Sequence, residues 1–125
     1  MSSEEERLYT VDEANAALPD LRGTLEAMRE ARAIVMRSAE RVRGNVVGNG
    51  GGSESAEYSD ALALLKRETE RLSAASILLR DVETGLVDFP SERDGEPMFL
   101  CWKLGEDEVA FWHPVDTGIA GRRPL

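Results

Sequence analysis

Two stretches of heptad-spaced apolar residues, separated by a run of glycines, constrain the fold of this 125-residue chain more than any other feature. Steps of three and four residues place side chains on one face of an α-helix, so each stretch predicts a long helix of coiled-coil type. The first seam contains one charged residue and consists of Leu18, Leu21, Leu25, Met28, Arg32, Val35, Ala39, Val42 and Val46. The second seam consists of Tyr58, Leu62, Leu65, Thr69, Leu72, Ser76 and Leu79.

The glycine-rich segment between the seams, residues 48–53, predicts a flexible connection. It lacks the preceding strand and the Lys-Ser or Lys-Thr pair of a phosphate-binding loop. Each helix would span roughly 40 Å at about 1.5 Å per residue, so we expect the two to fold back as an antiparallel hairpin. Residues 20–47 carry six arginines and four acids, whereas residues 54–83 carry seven acids and four bases. These opposite charges favour the pairing modestly.

Capping residues and a proline mark the start of the first helix. Thr10 and Glu13 form a T-x-x-E capping box, which predicts a helix start after a short extended segment at residues 8–10. Pro19 has no amide hydrogen, so we expect it to kink a short helix of residues 11–18 or to begin a new one.

The second helix is expected to begin near Ser53 or Ser55 and to end near Glu83, with Gly85 as its left-handed cap. Short apolar runs bounded by turn residues then predict three strands at residues 86–89, 98–104 and 109–113. Pro90 is expected to stop the first strand. The connections are short, so an antiparallel meander is the simplest arrangement.

These elements together predict an α+β fold: a long antiparallel helical hairpin packed on a small three-stranded antiparallel β-meander. The length fits a single domain, residues 1–125, with a helical part at residues 8–84 and a β-rich part at residues 85–125.

Composition excludes several classes of function. The net charge of −9, from 24 acidic and 15 basic residues, disfavours binding to nucleic acid or to anionic membranes. No apolar run approaches the roughly 20 residues that span a bilayer, and the acidic start MSSEEER is not a signal peptide. A single cysteine cannot form an intrachain disulfide, which suits a reducing compartment. We therefore expect a cytoplasmic protein.

The strand at residues 98–104 is largely apolar on both faces. One face carries Met98, Leu100, Trp102 and Leu104, and the other carries Phe99, Cys101 and Lys103. Helices can cover only one of these faces, and an antiparallel sheet usually exposes the other to water. The second face therefore needs the C-terminal tail or a second copy of the chain, which leads us to expect a homodimer. The helical hairpin also offers a surface for a protein partner.

A divalent metal site is one interpretation of the C-terminal polar residues, and no organic cofactor is expected. The chain's one histidine, His113, could bind zinc, iron or manganese together with Asp88, Glu92 or Asp116. Two alternatives remain open: a histidine that is hydrogen-bonded in the core, and a general acid or base held by Asp116. Cys101 lies within a strand and is expected to be unreactive.

Three arginines in the same region could form an anion-binding site, although pairing within the chain is the interpretation we favour. Arg122 and Arg123 follow Gly121, and Arg93 lies in the turn region before the central strand. Arginine guanidinium groups suit carboxylates and phosphates. The alternative is structural: Arg122 and Arg123 would pair with Asp88, Glu92 or Asp116 and hold the tail against the sheet.

The two ends of the chain resemble a known family. The opening LYTVDEANAALP (residues 8–19) and the closing segments GLVDFP, LCWKLGE and DTGIAGRRPL are similar to domain-of-unknown-function family 2203, which comprises small bacterial and archaeal proteins. The resemblance covers nearly the whole chain and implies a prokaryotic cytoplasmic protein. It brings no established activity and no catalytic residues.

Two classes of function therefore remain. The first, which we expect, is a non-enzymatic, dimeric interaction or regulatory protein. The second is a small metal- or anion-dependent enzyme or ligand-binding domain centred on His113. A pocket shared by His113, the nearby carboxylates and the arginines would favour the second class, whereas satisfied salt bridges without a cavity would favour the first.

Overall fold

The computed structural model describes residues 7–44 and 53–125, which form two helices and a five-stranded antiparallel sheet. The helices are α1 (Val11–Gly44) and α2 (Ser53–Ala74). The strands lie side by side in chain order: β1 (Leu78–Asp81), β2 (Leu86–Arg93), β3 (Glu96–Lys103), β4 (Phe111–Pro114) and β5 (Arg123–Pro124). The α+β prediction is confirmed, but the meander has five strands instead of three. The predicted glycine loop 48–53 lies outside the described residues up to Ser53, where α2 begins.

The capping box starts α1 as predicted. The backbone N–H of Thr10 donates to Oε1 of Glu13 over 3.0 Å, and the N–H of Glu13 donates to Oγ1 of Thr10 over 3.0 Å. Pro19 lies inside α1 and does not begin a new helix. Leu18 and Leu21, on either side of it, are both buried in the core, so packing holds the helix together where one backbone hydrogen bond is missing.

The first part of the α1 seam is confirmed, whereas the seam of α2 is displaced. Four residues of the first seam are buried in the core: Leu18, Leu21, Leu25 and Met28. On α2, Ala61 and Leu72 are buried, whereas Tyr58, Leu62 and Thr69 are exposed.

An ionic cluster explains this displacement. Glu68 takes the seam position in place of Thr69, because its carboxylate accepts hydrogen bonds from Arg67 and Arg71. Arg71 also forms an ion pair with Asp20 of α1, over 3.2 Å.

Helix α2 ends nine residues before the predicted position, because the chain forms a Schellman motif without a glycine. Ser76 adopts a left-handed conformation with φ of 62°, and its N–H donates to the carbonyl of Ser73. The N–H of Ile77 donates to the carbonyl of Leu72, and both of these side chains are buried in the core. The following residues form β1, which the helical spacing of the sequence concealed.

Gly85 is left-handed as predicted, with φ of 69°, but it lies in the turn between β1 and β2 and caps no helix. A Cβ atom added there would lie 2.7 Å from Cβ of Leu104, so both the backbone conformation and the close approach require glycine.

Strand β2 continues through Pro90, so the expectation that this proline stops the strand was wrong. The carbonyl of Pro90 accepts a 2.7 Å hydrogen bond from the N–H of Tyr9, on the side of β2 away from β3. Both polar groups of a strand residue point to the same side, so the missing N–H of Pro90 costs no bond to β3. The segment before α1 thereby packs along β2, and the Ser91 hydroxyl donates to the Tyr9 carbonyl.

The two faces of the sheet are covered differently. The face towards the helices forms the main core with Val87, Phe89, Met98, Leu100 and Trp102. The opposite face, here called the outer face, is covered in part by arginines of the same chain. The Arg80 guanidinium lies 5.2 Å from the ring centre of Phe99, and that of Arg122 lies 4.1 Å from the ring centre of Phe111. The outer face therefore does not by itself require a second copy of the chain, and the homodimer stays a prediction.

Within the described part of the chain, neither helix is long and apolar enough to cross a membrane.

Candidate metal centre

Three adjacent strands bring Asp88, Cys101 and His113 together on the outer face. Asp88 of β2 pairs with Cys101 of β3, and His113 of β4 pairs with Phe99, two residues before Cys101. One carboxylate oxygen, the thiol sulfur and one ring nitrogen all lie within 4.8 Å of one another. The residues are 2%, 1% and 1% exposed, respectively, so the cluster is shielded from water.

His113 is held by an acceptor at each ring nitrogen. Its Nδ1 lies 2.8 Å from the carbonyl oxygen of Pro114, and its Nε2 lies 2.9 Å from Oδ2 of Asp88. The Pro114 carbonyl can only accept, so Nδ1 carries hydrogen, and one proton lies in the hydrogen bond between Nε2 and Oδ2 of Asp88.

The carboxylate of Asp88 is satisfied at only one of its oxygens. Oδ2 accepts hydrogen bonds from His113 and from Nε of Arg80, the latter over 2.8 Å. Oδ1 is buried and has no hydrogen-bond partner among the residues that the structure describes. A buried polar atom without a partner costs about 1–3 kcal/mol, so such atoms are uncommon and call for a physical explanation.

Cys101 is a protonated thiol at neutral pH, beside a group suited to its ionised form. Burial raises the pKa of this thiol, and the charge of Asp88 adds to the effect, whereas the hydrogen bond from Arg122 opposes it. Nε of Arg122 lies 3.3 Å from the sulfur, and the same guanidinium forms a 2.6 Å ion pair with Glu106. A thiolate formed here would meet a fixed positive charge.

The structure separates the predicted site residues into three groups. Asp88 and His113 converge, and Cys101 and Arg122 join them. Glu92 and Asp116 are exposed, and neither belongs to the buried cluster. Arg93 and Arg123 lie over the ring of Trp112, away from that cluster.

Sequence reasoning missed Cys101 as a neighbour of Asp88, although the turn between their strands contained the signal. Asp94 and Gly95 have positive φ values of 55° and 81° and connect β2 and β3 as a two-residue turn. Such a turn pairs Arg93 with Glu96, and the same register pairs Asp88 with Cys101. Arg80 was missed for another reason, because its segment was assigned to a helix.

A comparison with protein families identifies the chain. The model of the family described as "Uncharacterized conserved protein (DUF2203)" matches residues 7–125. The protein belongs to DUF2203. The match confirms the family resemblance of the two terminal segments. The matched region also includes both helices. No curated protein and no solved structure matches the chain. The description of DUF2203 names no ligand and no reaction, so a function has to be argued from the chemistry of the site.

Proposed function

We propose that this protein binds a transition-metal ion, with zinc preferred, through Asp88, Cys101 and His113. The observation that carries the proposal is the buried Oδ1 of Asp88, which has no partner in the described part of the chain. Because the cluster also contains a thiol and an imidazole, a cation bound there would satisfy this oxygen.

The donor set suits zinc. Thiolate sulfur, imidazole nitrogen and carboxylate oxygen are its usual protein ligands, and three of them leave a fourth tetrahedral position for another ligand. The Pro114 carbonyl supports this assignment, because it fixes hydrogen on Nδ1 of His113 and directs Nε2 towards the cluster. A hydrogen bond at the second ring nitrogen is the common outer support of a metal-bound histidine.

Charge balance also favours binding. The metal would displace the proton shared by Nε2 of His113 and Oδ2 of Asp88, and the proton of the Cys101 thiol. A divalent cation that replaces two protons leaves the net charge of the cluster unchanged. The neighbouring ion pairs of Arg80 with Asp88 and of Arg122 with Glu106 stay intact, so no additional charge has to be buried.

Binding requires a small contraction of the cluster. Bonds of about 2.0–2.3 Å place the ligand atoms of a tetrahedral zinc site roughly 3.3–3.8 Å apart. The three atoms now lie within 4.8 Å of one another, so limited side-chain rotation brings them into range. The site also needs a reduced thiol, which agrees with the cytoplasmic location expected from the lone cysteine.

A titration with cobalt(II), a spectroscopic substitute for zinc, tests the proposal. We expect one ion per chain and a thiolate-to-cobalt charge-transfer band that zinc abolishes. The Cys101→Ser variant should lose the band, and its zinc affinity should fall by about 100-fold or more. Glu92→Gln and Asp116→Asn are matched controls, because these exposed carboxylates lie outside the cluster, and they should bind as the wild type does. Wild-type protein without the band, or controls that lose it, would exclude this set of ligands.

The pH dependence of the same titration has a defined sign. Because burial raises the pKa of Cys101, the thiol carries a proton at neutral pH that the metal must displace. Zinc affinity should therefore rise by at least about tenfold per pH unit between roughly pH 6 and 8. An affinity independent of pH over this range would show that Cys101 is not a ligand.

A second candidate function is assembly through the helical hairpin, as an interaction or regulatory protein. Tyr58 and Leu62 lie one helical turn apart on α2 and are exposed. The arginine-rich α1 and the acidic α2 would be complementary in a two-fold arrangement that pairs each with the other helix of a second copy. Sedimentation velocity should show a dimer that Leu62→Glu converts to a monomer, whereas Thr69→Glu, also exposed, is the control. A monomeric wild type at micromolar concentrations would exclude this assembly.

A further inference from the structure

Two arginines share the ring of Trp112. The guanidinium carbon of Arg93, at the end of β2, lies 4.7 Å from the ring centre, and that of Arg123, on β5, lies 5.2 Å from it. The distance between the two guanidinium carbons therefore cannot exceed the sum of their distances from this ring centre. Contact with the indole limits the mobility of each guanidinium, so less conformational entropy is lost when a ligand binds.

Neither of these arginines is neutralised by the described part of the chain. Among residues 7–44 and 53–125, no carboxylate forms an ion pair with Arg93 or Arg123. Arg122 differs from them, because it is bound to Glu106 and Cys101. In a protein of net charge −9, two neighbouring cations without a carboxylate partner are available to an external anion.

A largely apolar groove adjoins Arg93. It has a volume of about 430 Å³, and Arg93 forms part of its wall. Three exposed apolar side chains line it beside the buried Met98, namely Leu8, Val11 and Leu125. A polar head bound by the arginines and an apolar body in the groove would occupy both parts of this surface.

We infer that Arg93 and Arg123 bind the anionic head, a carboxylate or a phosphate, of a small amphiphilic molecule whose apolar body lies in this groove. Glu92 also lines the groove and would repel a second negative charge along the body. The preferred ligand therefore has one anionic end. The site is independent of the metal centre, because it shares none of that centre's three ligands.

Binding can be followed with octanoate and octyl phosphate in the presence of a chelator, so that the metal centre has no part in it. The chain contains two tryptophans, and Trp102 is fully buried, so its indole N–H signal in NMR spectra serves as an internal reference. We expect octanoate, octyl phosphate or both to shift the Trp112 indole signal, and the stronger binder identifies the head group. The cation octyltrimethylammonium should leave this signal unchanged.

Variants separate the two parts of the site. Arg93→Met and Arg123→Met should each weaken binding by about tenfold or more, as expected for the loss of a charged hydrogen bond. The control Arg67→Met, at an exposed arginine of α2, should bind as the wild type does. Equal shifts with octyltrimethylammonium, or unchanged affinity in both variants, would overturn the role of the arginines. No shift with either anion would overturn the site.

Discussion

Replacement of Asp88 with alanine is expected to lower the free energy of unfolding by about 3 kcal/mol. Asp88 is the buried partner of both Arg80 and His113, so its loss leaves both side chains without that hydrogen-bond partner. We place the value at the lower end of the range for a broken buried pair, about 3–5 kcal/mol, because the Arg80 side chain is 44% exposed and can turn to water. His113 is 1% exposed, so its ring cannot turn to water.

Urea unfolding followed by circular dichroism measures this effect, with a chelator present so that bound metal adds no stability. Asp116→Ala is the matched control, since its exposed carboxylate should change stability by no more than about 0.5 kcal/mol. Asp88→Asn keeps an oxygen acceptor, so its free energy of unfolding should fall between those of Asp88→Ala and Asp116→Ala. If Asp88→Ala were as stable as the wild type, the Arg80–Asp88–His113 network would contribute nothing to folding.

Trp102→Ala is expected to lower the free energy of unfolding by about 3–5 kcal/mol, the range for removing a large aromatic side chain from a core. Trp102 is fully buried on the helix-facing side of β3, and its indole N–H donates to the carbonyl of Glu106 over 3.1 Å. The substitution leaves a cavity against the helices and removes one of the two donors to the Glu106 carbonyl, the other being Arg22.

Lys103→Ala is the control for Trp102→Ala, because it removes an exposed side chain from the next position of the same strand. Lys103→Ala should change the free energy of unfolding by no more than about 0.5 kcal/mol. Urea midpoints of the two variants, measured with the same protein preparation, give the comparison directly. If Trp102→Ala and Lys103→Ala lowered the urea midpoint by similar amounts, strand propensity, and not burial of the indole, would determine the stability of β3.

The accuracy of the sequence-based predictions follows the range of the interactions behind them. The capping box depends on Thr10 and Glu13, which are close together in the chain, so its pattern identified it. The end of α2 depends on Ile77 packing beside Leu72 in a core that includes the sheet. A serine in the left-handed position gives no local signal of that end, so the helical spacing concealed it.

In the candidate site, too, some features had a local sequence signal and others depended on tertiary packing. Alternation along β3 placed Cys101 on the face opposite Trp102, and the sequence indicated Asp88 and His113 as possible neighbours. It also indicated Glu92 and Asp116, which are exposed. Composition and spacing could not separate these carboxylates, because the choice depends on which side chains the register of three strands aligns.

The sequence by itself determined the α+β class, the helical start, the faces of the central strand and the family of the protein. The first three follow from periodicity, capping and turn chemistry, which act over a few residues, whereas the family follows from the resemblance of the two terminal segments. Only the tertiary structure decided that Cys101, and not Glu92 or Asp116, joins Asp88 and His113, and that Arg80 reaches the cluster from a strand. Both outcomes depend on the register in which the four successive strands β1 to β4 pair. The energy of that pairing comes from burial, which no local pattern contains.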